Sequence, residues 1–256
     1  MHGYISSGRP PLTEPIDTVL GYELSPRAKR FVAEYADFLV RMDFKDIADH
    51  PQQYIRSAET HCSCDGHRHT IWLDKQSHDF ESLMMHEVMR GILMERGFPR
   101  TRIACPHEAT FDALMLYLSS LLSGAVTDPI IDGWLTKDGY GVYDREELIR
   151  RTMAQVWLDA QRGAPKPYGV LFCKWTLLSV LVRLDPTFEG DALNLLLSLL
   201  RKKFPEPLEL AEGLSESIKK KGFTEPYSAL MAMLTLRDAL KLQGRIAIVD
   251  REDRRL

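Results

Sequence analysis

Cysteine is scarce in this chain. The four cysteines in 256 residues, Cys62, Cys64, Cys105 and Cys173, are too few and too irregularly spaced to staple a secreted disulfide scaffold, so a reducing, cytoplasmic setting is expected. An excess of one charge is also missing. The net charge of −3, with both signs interspersed, leaves no basic stripe to follow a phosphate backbone, and no nucleic-acid partner is expected. No basic-then-apolar leader opens the sequence and no uninterrupted apolar run is long enough to span a bilayer, so no membrane partner is expected either. Internal repeats and low-complexity segments are absent. What remains is a soluble, globular composition, 45% hydrophobic and 27% charged, with enough chain to bury a sizeable core.

Residues 1–24 hold Pro10, Pro11 and Pro15 among glycines and serines, and read as an extended arm. Ser25 followed by Pro26 starts a helix whose apolar spacing carries to Met42. Asp65-Gly66 favours a tight turn and predicts a hairpin with strands over residues 56–64 and 67–73. A helix over 77–99 follows, capped by Ser77 or Asp79. A second apolar helix over 108–123 leads to a short helix begun by Pro129 and capped by Thr127 or Asp128. Beyond Tyr143 the spacing predicts helices over 145–161, 168–184, 188–203, 208–221 and 225–242, then a last strand at 246–249. The expected class is α+β and helix-dominated, with a small antiparallel sheet beside the 77–99 helix. Residues 25–143 read as a core and 144–256 as a helical subdomain packed on it.

The 77–99 helix carries His86-Glu87 near its middle. Positions i and i+4 share a helix face, so residues 86 and 90 project side by side. In an H-E-x-x-H helix both would be zinc-binding imidazoles, and the glutamate would activate the metal-bound water. Here the motif reads H-E-V-M-R. Arg90 is a permanent cation with no lone pair to donate, so it cannot ligate zinc. A guanidinium can instead pair with Glu87 or a nearby acid and stand where a metal would.

The hairpin, the His86-Glu87 helix ending in Gly97-Phe98-Pro99, the apolar helix leading to Asp128-Pro129-Ile130-Ile131-Asp132, and the Leu135 to Tyr140 ending resemble the zincin-like metallopeptidases. The resemblance covers residues 54–143. It implies that His86 is the first zinc ligand, Glu87 the general base, and an acid on the following segment the third ligand. Asp128 is the candidate for that third position, with Asp132 competing for the inward role and a helix cap as the other reading of Asp128. It also implies that the strand before the active helix is a sheet edge on which a peptide substrate can pair. Arg90 departs from the pattern at the second ligand.

A second grouping lies on the hairpin. With Asp65-Gly66 as a two-residue loop, Cys64 faces His67 and Cys62 faces His69, all on one side of the ladder. Cys62, Cys64, His67 and His69 would then make an alternative Cys2His2 zinc site, although C-x-C and H-x-H are tighter than usual structural spacings. Trp134, Trp157 and Trp175 read as core, and Cys173 as an inert buried thiol. The expected function is a zincin-like homologue made catalytically degenerate by Arg90, which binds or scaffolds a protein or peptide. The alternative is an active zinc-dependent peptidase with an unusual ligand set and Glu87 as base.

Overall fold

The computed structural model describes residues 16–51, 60–65, 68–104, 109–140, 145–250 and 252–256. Its residues gather into two compact units, 1–92 and 93–256. Within the second unit the long helix from residue 109 packs on helices that follow Tyr143. The class is the expected one, helix-dominated α+β with small sheets.

In the first unit the expected arm ends in a hairpin, β1 (Thr18–Val19) and β2 (Tyr22–Glu23). Leu20 and Gly21 turn it at φ 53° and 79°, the two positive values that match the twist of paired strands. Residues 1–15 of the arm lie outside the described residues. Helix α1 (Pro26–Glu34) has Pro26 in its first turn, and Ser25 Oγ accepts the Ala28 amide. The same serine is held from afar: Glu81 Oε1 accepts its amide and Oε2 its hydroxyl, both at 2.6 Å.

The helix expected to run to Met42 stops early. It breaks at Tyr35, resumes briefly as α2 (Ala36–Leu39), and gives way to strand β3 (Met42–Asp46). Pairing overrides local spacing here, because Met42 through Asp46 lie parallel to His69 through Leu73. Strands β4 (Thr60–Asp65) and β5 (Arg68–Leu73) form the expected hairpin, and the sheet order is β3-β5-β4. Helix α3 (Phe80–Glu95) follows.

The second unit is a stack of helices beside a two-stranded sheet. Strand β6 (Arg100–Ile103) pairs antiparallel with β7 (Ile246–Val249). The short C-terminal segment turns back on β7. Val249 bridges Arg255, and the Leu256 amide donates to the Ile248 carbonyl at 2.9 Å. Helix α4 (Ala109–Lys137) is a single 29-residue helix with Pro129 inside it, where a break and a new start were expected. It packs on β6 and on the later helices α6 (Val170–Leu184) and α9 (Pro226–Ala239). Its stretch Ala113–Lys137 is long and apolar enough to cross a membrane, yet 61% of an 18-residue window within it is buried within the protein, as in a core helix.

Pro129 has no amide for the Ala125 carbonyl, and its ring crowds that turn. The apolar burial of Ala125, Val126, Ile130 and Ile131 holds the helix through this defect. Pro129→Ala is therefore expected to raise stability by about 1–3 kcal/mol, read from the midpoint of a urea titration.

Helix α5 (Arg145–Ala160) packs on α7 (Gly190–Lys203), and α6 packs on α8 (Pro205–Lys221). Trp175 is completely buried at this centre, whereas Trp157 is 49% exposed, with Lys203 Nζ 4.2 Å from its ring centre. The expected core role holds for Trp175 and fails for Trp157, which the lysine covers from the solvent side.

Candidate functional site

Helix α3 starts as its sequence suggests. The Asp79 carbonyl accepts the Leu83 amide at 2.9 Å, and Ser77 Oγ accepts the Asp79 amide at 3.3 Å. At its other end Gly97 adopts φ 86°, which lets the Phe98 amide reach back to the Leu93 carbonyl at 3.0 Å. Between these ends residues 82–89 are all buried. The helix is thus enclosed around its circumference over this stretch. His86 and Glu87 are 2% and 1% exposed.

A carboxylate removed from water this far must be paired or protonated. Glu87 is paired. Arg90 Nη1 donates to Oε1 at 2.9 Å and to Oε2 at 3.2 Å, and Thr60 Oγ1 donates to Oε1 at 2.9 Å. His86 Nδ1 lies 3.9 Å from Oε1. Burial alone pushes the Glu87 carboxyl pKa upward, but the Arg90 charge, the contact with His86 and the Thr60 hydroxyl outweigh it. The result is a fall from 4.5 to about 2. Such a carboxylate has little of the proton affinity that a general base needs near neutral pH. The arginine side chain remains 28% exposed, so it lies partly over the acid and partly in solvent.

The sign of the pH dependence follows. A carboxyl whose folded pKa is depressed contributes stability above its unfolded value of 4.5 and loses it as pH falls from there toward 2. The contribution at neutral pH is about 3 kcal/mol. Glu87→Gln is expected to flatten this acid limb, so that wild type and variant converge between pH 5 and 2. Denaturant titrations at several pH values would measure that convergence.

The sheet side of α3 is closely packed. A Cβ on Gly91 would stand 2.9 Å from Met42 Cε and 3.6 Å from the His69 ring. Glu87 lies one turn before Gly91 on this side, which explains how Thr60 of β4 reaches it. Thr60 was missed in the sequence reading. Its only signal was strand alternation, which sets it on the same face as Cys62.

The hairpin register differs from the expected one. Cys64 stands opposite His69, Cys62 opposite Ile71, and Asp65 opposite Arg68. The strand extends one residue further than expected, because Asp65 pairs in the ladder instead of turning. Residues 66 and 67 then connect the strands, and His67 lies outside the described residues. The Cys64–His67 and Cys62–His69 pairings are thereby replaced. His69 is 1% exposed and sits against Gly91, while Cys62 is half-buried. Among the described residues no three His, Cys, Asp or Glu side chains gather as a metal site.

Strand β5, the one preceding the His86 helix, lies between β3 and β4. Both of its backbone edges are taken, so it is not the open edge that the zincin resemblance implied. Asp128 lies inside α4 rather than at a cap. Its Oδ2 would stand 2.7 Å from a Cβ on Gly124, and Thr127 Oγ1 donates to its Oδ1 at 3.4 Å. The carboxylate thus folds along its own helix, over the turn that the glycine leaves bare. Asp132, its competitor, is buried at 1%.

A second buried charge pair was not foreseen. Lys174 Nζ donates to Asp159 Oδ2 at 2.6 Å, and Gln155 Nε2 donates to Oδ1 at 3.0 Å. Asp159 is 1% exposed, and this pair ties α5 to α6. Cys173, beside it in sequence, is fully buried, and burial pushes its thiol up to about 11, so it stays an unreactive thiol as expected. In comparisons with known proteins, no protein-family model, no curated protein and no solved structure matches this chain.

Proposed function

We propose that the chain is a zincin-like homologue that has lost hydrolysis and acts by binding a protein or peptide partner. The single observation supporting this reading is Arg90 Nη1 within 2.9 and 3.2 Å of the two oxygens of buried Glu87. A fixed cation stands beside the carboxylate that would have activated water, and at position 90, where the second imidazole would be needed. A cation there repels a metal ion and at the same time satisfies the acid, so the helix is held without chemistry. The same reading includes a cytoplasmic setting and no nucleic-acid or membrane partner.

The runner-up is a zinc-dependent peptidase that uses Glu87 as its base and His86 as a ligand. Metal analysis of the purified chain grown with added zinc separates the two readings, when run beside Arg90→His, His86→Ala and Cys62→Ala. The degenerate reading expects no stoichiometric zinc on the wild-type His86 helix and no peptide hydrolysis that Glu87→Gln abolishes. Zinc near one per chain that is lost with His86→Ala would sink it. Zinc lost only with Cys62→Ala would place a structural metal on the hairpin and leave the degenerate helix intact. Affinity for zinc gained in Arg90→His would mark the helix as a relic of a working site.

A further inference from the structure

Helix α6 carries three polar side chains at four-residue intervals, Trp175, Ser179 and Arg183. Each has a buried atom without a hydrogen-bond partner among the described residues: Trp175 Nε1, Ser179 Oγ and Arg183 Nε. Trp175 and Ser179 are completely buried. Spacing of i, i+4 and i+8 puts all three along one stripe of the helix.

The stripe faces α8. The Trp175 ring stacks on that of Phe204, with centroids 5.3 Å apart and planes at 13°, and Arg183 Nη2 donates to Glu212 Oε1. Each of those contacts is eight residues further along its own helix than the last, so α6 and α8 run side by side in the same direction. By that register Ser179 stands level with Leu208, an apolar residue that offers it no acceptor.

Ser179 also differs in its hydrogen bonding from other hydroxyls of the helices. Thr127, Thr152, Thr176, Ser215 and Thr235 each donate a hydroxyl to the carbonyl four residues back in their own helix, at 2.7–3.0 Å. Ser179 forgoes that local bond, although it is as buried as any of them. A buried hydroxyl, an indole N–H and a guanidinium N–H left unmet would each carry a desolvation penalty.

We propose that the α6/α8 seam is a binding site for ordered water, one molecule between Trp175 and Ser179 and one between Ser179 and Arg183. Two hydrogen bonds of about 2.9 Å that meet at the tetrahedral angle of a water oxygen span about 4.6 Å, and side chains that lean along the helix bring polar ends within that span of one another although four residues rise about 6 Å. The donors ask for oxygen acceptors, and Ser179 can receive from one water while giving to the other. Glu212 at the end of the stripe opposes an anion. Polar sites of this kind hold water with residence far longer than the surface does.

The seam can be tested in two ways on the full chain. Ser179→Ala removes the hydroxyl at almost no change in volume. If water bonds it, the thermal midpoint falls by about 2–4 °C, the loss of one ordinary hydrogen bond in a chain of this size. If the hydroxyl sits dry, the midpoint rises, because an unmet polar group has been removed. Independently, the Trp175 indole proton, assigned by its disappearance in Trp175→Phe, should show cross-relaxation with a long-lived water in the wild-type protein. A rise in midpoint, or an assigned indole proton with no such cross-relaxation, overturns the proposal.

Discussion

Arg90→Met is expected to cost about 3–5 kcal/mol of folding stability, because it strands a buried carboxylate. Glu87 is 1% exposed, and of Thr60, His86 and Arg90 around it the arginine alone carries a permanent charge. Thr60 remains after the substitution, but one hydroxyl does not replace a guanidinium that touches both oxygens. The loss should shrink in acid, where the stranded carboxyl takes a proton. Combining Arg90→Met with Glu87→Met should recover most of the loss, since an apolar pair of similar volume suits a helix whose residues 82–89 are all buried. Urea titrations of the two single variants and the double variant would give the coupling directly. A single variant as stable as wild type would mean that Glu87 has another way to hold its charge.

Trp175→Ala is the second large effect, with an expected cost of about 3–5 kcal/mol. Its cause is volume rather than charge. Trp175 is the largest fully buried side chain, and it joins Ile149, Val156, Val182, Leu196, Leu200 and Leu208 in one apolar cluster. Deleting it opens a cavity where α6 meets α8 and also takes away the stacking partner of Phe204. Thermal unfolding followed by far-ultraviolet circular dichroism would show a large drop in midpoint with the helical signal intact at low temperature. A drop no greater than that of an exposed tryptophan such as Trp157 would contradict the packing argument.

Helices with strong local signals could be read from the sequence, and elements made by distant pairing could not. Ser25-Pro26 and Gly97-Phe98-Pro99 mark their boundaries through capping chemistry that operates within a few residues. Strand β3 has no such signal. Met42 to Asp46 extends only because β5, nearly thirty residues later, offers a parallel edge. β6 depends in the same way on β7, far along the chain. Local rules also misled at Pro129, where a proline that ordinarily starts a helix is carried through one by the burial around it.

At the candidate site, a permanent cation close to Glu87 was legible in H-E-V-M-R alone, as was the fact that no geometry lets its guanidinium bind zinc. The ion pair between Arg90 and Glu87 follows from i, i+3 proximity on a helix. Thr60 and the altered hairpin register were not legible. Each depends on where a turn falls to within one residue, and Asp65 is equally able to turn or to pair across from Arg68.

The C-terminal segment that turns back on β7 has a consequence for solubility. A strand of isoleucine, alanine, isoleucine and valine with a bare backbone along one side would be a template on which strands of other molecules could grow. Arg255 and Leu256 occupy that side at Val249 and Ile248. These few residues thus act as a selvedge, the finished border that keeps a woven cloth from taking on further threads.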